Sequence, residues 1–168
     1  MMTGQPRTMN EDHDCKRARN HALRLLSRRA RTEADLSNRL LREGFSRAAV
    51  RQCMTSLRED GLVDDEGFVD QYIAYVKDHN PMGRMRIERE LCKRGVQKDL
   101  ARRKVSEITS REEECLARRA IAKKGGLPDS VERDERLAHL RRLFSYLSRR
   151  GFPGAMIRRL IGLTNGFV

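Results

Sequence analysis

One phrase occurs three times in this chain and limits the folds open to it. Arg39-Leu-Leu-Arg-Glu-Gly-Phe45, Glu90-Leu-Cys-Lys-Arg-Gly-Val96 and Tyr146-Leu-Ser-Arg-Arg-Gly-Phe152 each set a leucine four residues before a glycine and a bulky apolar residue after it. The glycines, Gly44, Gly95 and Gly151, stand 51 and 56 residues apart. A unit of that length buries little core alone and gains stability by stacking on its copies, so the recurrence predicts a tandem array.

The register extends on both sides of the glycine. Leu36, Ile87 and Leu143 lie eight residues before it, and Leu40, Leu91 and Leu147 four before. Val50, Ala101 and Ile157 lie six after it, and Met54, Val105 and Ile161 ten after. Spacings of four put these side chains on one face of a helix, so each phrase reads as helix, glycine stop, helix. A left-handed residue is cheap only for glycine, which suits the stop. Ser46 and Pro153 then suit the first positions of the helices that follow.

Composition agrees with slender amphipathic helices: charged residues make up 36% and aromatics 5%, with no Trp. No apolar run is long enough to cross a membrane, and the polar N-terminus lacks the apolar stretch of a signal peptide, so the expected location is the cytoplasm. Cys15, Cys53, Cys92 and Cys115 lack the close pairing of zinc sites and read as reduced thiols, Cys53 and Cys92 as small packing residues.

Residues 1–15 read as a disordered segment, 16–62 as a first three-helix repeat, 63–109 as a second and 110–168 as a third. The first helix is expected over about 16–29 with Leu23 and Leu26 inward, and the second starts behind Thr32 as its cap. Asp64-Asp65 opens the second repeat, where Val69, Tyr72, Ile73 and Val76 form one stripe; Asn80-Pro-Met-Gly83 ends that helix. Further helices are expected near 84–94, 97–108, 111–124, 133–150 and 153–163, with Gly125-Gly-Leu-Pro-Asp129 as a separator. The fold class is thus all-α: an elongated array of three three-helix repeats, nine helices and no sheet, winding in either hand.

Catalysis finds little support. The four histidines share no metal-ligand spacing, and no phosphate loop or nucleophile elbow is present. Asp64-Asp65 is the one paired carboxylate, and its place at a helix start fits capping. No catalytic residue, metal or cofactor is expected.

The net charge of +12 raises the local concentration of phosphate backbones or acidic protein surfaces. It is uneven: residues 16–60 carry 12 basic against 5 acidic side chains, whereas 61–78 carry one Lys against five acids. Two basic series follow the repeat: Arg42, Lys93 and Arg149 two residues before the glycine, and Arg51, Arg102 and Arg158 seven after. Arg103, Lys104 and Arg159 adjoin the second series, and the nine together are the candidate surface for an acidic partner or DNA. The ordinary alternative for such residues is a solvated helix face with intrahelical ion pairs. Few aromatics argue against base stacking as the main mode of recognition.

The residues that carry the repeat also carry a resemblance. Ala22-Leu-Arg-Leu-Leu-Ser-Arg-Arg-Ala-Arg-Thr32, Asp35-Leu36, Leu40 to Gly44, Leu57, Gly61-Leu-Val-Asp-Asp65 and Phe68 are similar to the bacterial RecX family. Gly83-Arg84, Ile87, Glu90-Leu91, Lys93 and Gly95-Val96 continue it, as do Leu143-Phe144, Leu147 and Arg149-Arg-Gly-Phe152. The resemblance implies an all-helical, non-enzymatic modulator of the RecA recombinase, usually an inhibitor. Such a protein lies along the groove of the RecA–DNA filament and restrains ATP hydrolysis, strand exchange and the self-cleavage of the SOS repressor. Its partners would be the RecA filament and, largely without sequence preference, DNA; it would act as a monomer. The competing reading is a general nucleic-acid-binding protein, since a three-helix unit with a glycine turn also describes helix-turn-helix domains.

Overall fold

Each recurring phrase closes a helix in a way that explains its residues. The amide of Phe45 donates to the carbonyl of Leu40 (3.2 Å) and that of Gly44 to Leu41 (3.1 Å); Phe152 and Gly151 repeat the pattern on Leu147 (3.2 Å) and Ser148 (2.9 Å). This double bond is the Schellman closure, in which the residue after the turn also makes apolar contact with the one whose carbonyl it takes. It requires a left-handed residue, and φ is +88°, +90° and +82° at Gly44, Gly95 and Gly151.

The computed structural model describes residues 9–127 and 132–162, with side chains described from His13 onward. Among them nine helices and no strand occur: α1 (Met9–Leu26), α2 (Glu33–Arg42), α3 (Arg47–Glu59), α4 (Asp65–His79), α5 (Arg84–Lys93), α6 (Lys98–Ser106), α7 (Ser110–Lys123), α8 (Arg133–Arg149) and α9 (Gly154–Ile161). The expected disorder of residues 1–8, and the roles given to Pro128, Asp129 and Leu163, fall outside the described residues.

Helix α1 begins at Met9, so residues 9–15 are helical and correct the reading that left them without structure. Its inner side also differs. Ala18 and Ala22 are fully buried, while Leu23, Leu25 and Leu26 are half-buried at the edge of the core. Small residues let helix backbones approach closely but carry a weak hydrophobic signal, so the leucines stand out in the sequence as the inner side; residues 9–15 are mostly polar and show no apolar stripe.

The helices gather into two compact units, residues 1–68 with 94–96, and residues 69–93 with 97–168. In the first, Leu36, Leu40, Val50, Cys53, Met54 and Leu57 form the core with the α1 alanines. In the second, Leu116, Ala117, Ile121, Leu143, Leu147, Phe152, Ile157 and Ile161 do so, and Val69, Val76, Ile87, Leu91, Ala101 and Val105 are buried besides. The apolar positions eight and four before the glycine and six and ten after it are at most 4% exposed in all three repeats, whereas of the residues just after the glycine Val96 and Phe152 are buried and Phe45 is half-buried. Burial pushes the Cys53 thiol up to about 11, which marks a packing residue and not a reactive one.

Helix starts are secured by side-chain caps in several places, at Thr32 and Ser46 as the sequence implies. Thr32 Oγ1 accepts from the amide of Asp35 (3.1 Å), Ser46 Oγ from that of Ala49 (3.2 Å), and Thr109 with Glu112 forms a reciprocal capping box. Two starts use carboxylates from distant helices. Asp65 Oδ1 accepts from the amide of Glu33 at the start of α2 (2.8 Å), and Glu113 Oε1 from the amide of Arg84 at the start of α5 (2.8 Å).

Candidate partner-binding surface

A cation binds a partner only if its own protein leaves it free, so the geometry sorts the nine basic candidates by what each already touches. Lys104 is 15% exposed and lies 2.9 Å from Asp70. Arg102 faces Glu88 (3.8 Å), Lys93 faces Glu90 (3.6 Å) and Arg159 pairs with Glu114. Arg42 Nε donates to the carbonyl of Asn38 in its own helix (3.2 Å). Arg103 is exposed on α6. Arg51, Arg149 and Arg158 make no ion pair among the described residues. Arg51 belongs to the first unit; Lys93, Arg102, Arg103, Lys104, Arg149, Arg158 and Arg159 belong to the second.

Two of the unpaired arginines border concave surfaces. In the first unit a groove between α2 and α3 has Leu41, Val50 and Met54 as an apolar floor, with Leu41 40% exposed. Arg47, Arg51 and Arg58 step along its α3 wall at helical spacing. Arg58 pairs with Glu33 across one end, whereas Arg47 and Arg51 carry no carboxylate among the described residues. Such a surface takes an apolar group from a partner and sets two guanidinium forks beside it for acidic neighbours. The sequence reading named Arg51 and missed Arg47; its position one turn earlier on the same face was the available signal. Arg149 borders a second cleft, in the second unit.

The paired carboxylates do not form a reaction centre. Burial raises the pKa of Asp65 from its ordinary value against the opposing effect of the hydrogen bond from the Glu33 amide, and the carboxylate is engaged by that amide. The expected cap is therefore real but serves α2, not the helix that Asp65 opens. Asp64 lies over the first turn of α4, where a Cβ on Gly67 would come within 2.5 Å of its carboxylate. Among the described residues no group of His, Cys, Asp and Glu side chains is placed to hold a metal ion, and no helix is long and apolar enough to cross a membrane.

Comparison with known proteins gives one family. Residues 18–57 match the model of the first three-helix domain of RecX. The chain is 31% identical over 151 residues to a regulatory protein RecX of Caldanaerobacter subterraneus subsp. tengcongensis, spanning 90% of this chain and 72% of that protein. A regulatory protein RecX of Amycolatopsis mediterranei is 30% identical over 93% of this chain and 87% of its own. The crystal structure of RecX from Lactobacillus salivarius superposes with a TM-score of 0.71 at 18% identity, covering 90% of this chain and 96% of that one. A second, described as the crystal structure of regulatory protein RecX, gives 0.75 at 19% identity, covering 96% and 82%. The structures establish the shared all-helical fold, and the identities over most of both lengths place this chain in the RecX family of regulatory proteins.

Proposed function

We propose that this protein modulates the RecA recombinase by binding along the groove of the RecA–DNA filament, where it restrains ATP hydrolysis, strand exchange and SOS coprotease activity without catalysing a reaction itself. In this reading the nine helices are three repeats, 16–62, 63–109 and 110–168, acting as a monomer in the cytoplasm. Family membership across nearly the whole chain carries the proposal. The unpaired Arg47 and Arg51 beside an apolar floor supply its physical side, since a nucleoprotein filament offers both acidic groups and protein surface.

The test is RecA ATPase and strand exchange on single-stranded DNA with this protein titrated in. Inhibition should saturate, and Arg51→Ala with Arg158→Ala should raise the concentration needed by roughly tenfold at low salt, a loss on the scale of one hydrogen bond to a charged group. Absence of any effect of the wild-type protein on the filament would reject the proposal. Equal losses by the variant on filaments and on bare DNA would favour the general nucleic-acid-binding reading.

A further inference from the structure

The second unit holds a cleft of about 400 Å³ lined by Lys124, Arg141, Arg142, Ser145, Tyr146 and Arg149. Among the described residues no carboxylate lines it, and the guanidinium groups of Arg141, Arg142 and Arg149 have no polar partner. Several cations elsewhere in the same unit are matched: Lys77 with Glu112, Arg84 with Glu113, Lys104 with Asp70, and Arg118 and Arg159 with Glu114. Tyr146 gathers further charge, with Lys124 Nζ 5.7 Å and the Arg150 guanidinium 5.1 Å from its ring centroid. Uncompensated like charges crowded into one concavity repel one another in the free protein, and an anion relieves that repulsion.

We propose that this cleft is a phosphodiester-binding site that takes the backbone of a polynucleotide. Arginine forks match phosphate oxygens in bidentate fashion, and the Ser145 hydroxyl adds a neutral donor of the kind that fixes register on a backbone. From Arg141 to Arg149 the row runs along α8 for roughly 12 Å. That length exceeds one phosphate and reaches the neighbouring phosphate of the same strand. The lining offers no counterpart to the Leu41, Val50 and Met54 floor of the first unit's groove, so an apolar anchor from a protein partner finds no seat. Tyr146 is engaged by cations, which directs the site to backbone and not to bases; the binding is indifferent to sequence.

The inference rests on the nucleic-acid half of the function proposed above and is tested without the recombinase, so the two fail separately. The measurement is fluorescence anisotropy of a labelled single-stranded oligonucleotide with the full chain. Arg141→Ala with Arg142→Ala should weaken binding by about tenfold per contact at 50 mM salt and make log affinity against log salt shallower by about 0.7 per contact. Arg89→Ala with Lys98→Ala removes the same charge from exposed positions on α5 and α6 and should leave both quantities near wild type. Equal weakening by that control would reduce the effect to net charge and overturn the site. Unlabelled oligonucleotide should compete far better than polyglutamate of matched charge or inorganic phosphate at matched phosphate concentration. Parity with polyglutamate would make the cleft an acidic-protein site, parity with phosphate a small-anion site, and either result overturns the proposal, as does wild-type protein that fails to bind the oligonucleotide at all.

Discussion

The start of α2 in the first unit and the start of α5 in the second follow one plan with different parts. Thr32 and Gly83 occupy the same position, their carbonyls accepting from Leu36 (3.0 Å) and Ile87 (3.1 Å). Each start receives a carboxylate from a later helix, and each lies against an Arg-Gly turn: Thr32 Oγ1 donates to the carbonyl of Arg94 (2.5 Å), and the Gly83 amide donates to that of Arg150 (2.9 Å). A hydroxyl makes the bond in one case and the main chain in the other. The consequence is distance. A Cβ on Gly83 would stand 2.2 Å from the carbonyl oxygen of Gly151, and one on Gly151 2.6 Å from the amide nitrogen of Arg86. A Cβ on Gly95 would meet side-chain atoms, Ala34 Cβ at 2.7 Å and Thr32 Oγ1 at 3.2 Å, and one on Gly44 would meet nothing. The same glycine is therefore a helix stop in all three phrases, a side-chain contact in the first joint and a backbone contact in the second.

The sharpest way to break this comparison is Gly83→Ala, which drives a methyl into main chain that cannot rotate away. It should cost more than about 3 kcal/mol, against about 1–2 kcal/mol for Gly44→Ala, where only left-handed strain is added. Urea melts of the two variants decide it, and equal costs would mean that the second joint is looser than its distances state. Next comes Glu113→Ala. The carboxylate is 1% exposed and holds both the amide and the Nε of Arg84 (2.8 and 2.7 Å), so its loss should cost about 3 kcal/mol, at the low end for a buried pair because Arg84 is 36% exposed. Thr32→Ala removes a cap and the bond to Arg94 and should cost about 2 kcal/mol.

The smallest expected effects concern charge. Asp65→Asn keeps an acceptor for the Glu33 amide and removes a charge that burial penalises. With its pKa raised, the ionised form weakens the fold as pH rises through that value, so the variant should match wild type in acid and equal or exceed it at neutral pH. Glu112 has the opposite sign. Its hydrogen bond from Lys77, with those from Thr109, lowers it to about 2 from an ordinary 4.5. Its contribution is present above pH 4.5 and lost as pH falls toward 2. The thermal midpoint of Glu112→Gln should accordingly converge on wild type across that window, and a constant gap would exclude the ion pair as its source.

The helices after α1, their glycine stops and the inward positions of the repeat register were legible in the chain alone. Leu40, Leu91 and Leu147 are all fully buried because a spacing of four and a left-handed glycine are local geometry, dictated by sterics within a turn or two of chain. The sequence reading fell short at α1, whose buried residues Ala18 and Ala22 are weak in a hydrophobic pattern and whose residues 9–15 are mostly polar. Only the tertiary structure decided which charges are spent and which are free. Lys104 and Asp70 are 34 residues apart in the chain and 2.9 Å apart in space, Asp65 caps a helix 32 residues before it, and Glu113, in register with the buried face of α7, closes on Arg84. Charge attraction falls with distance in space and pays no regard to distance along the chain. A row of arginines equivalent in the repeat can thus be half neutralised by neighbours that the repeat does not contain, as Arg102 is by Glu88, while Arg141 and Arg142, outside both basic series, are left facing an open cleft.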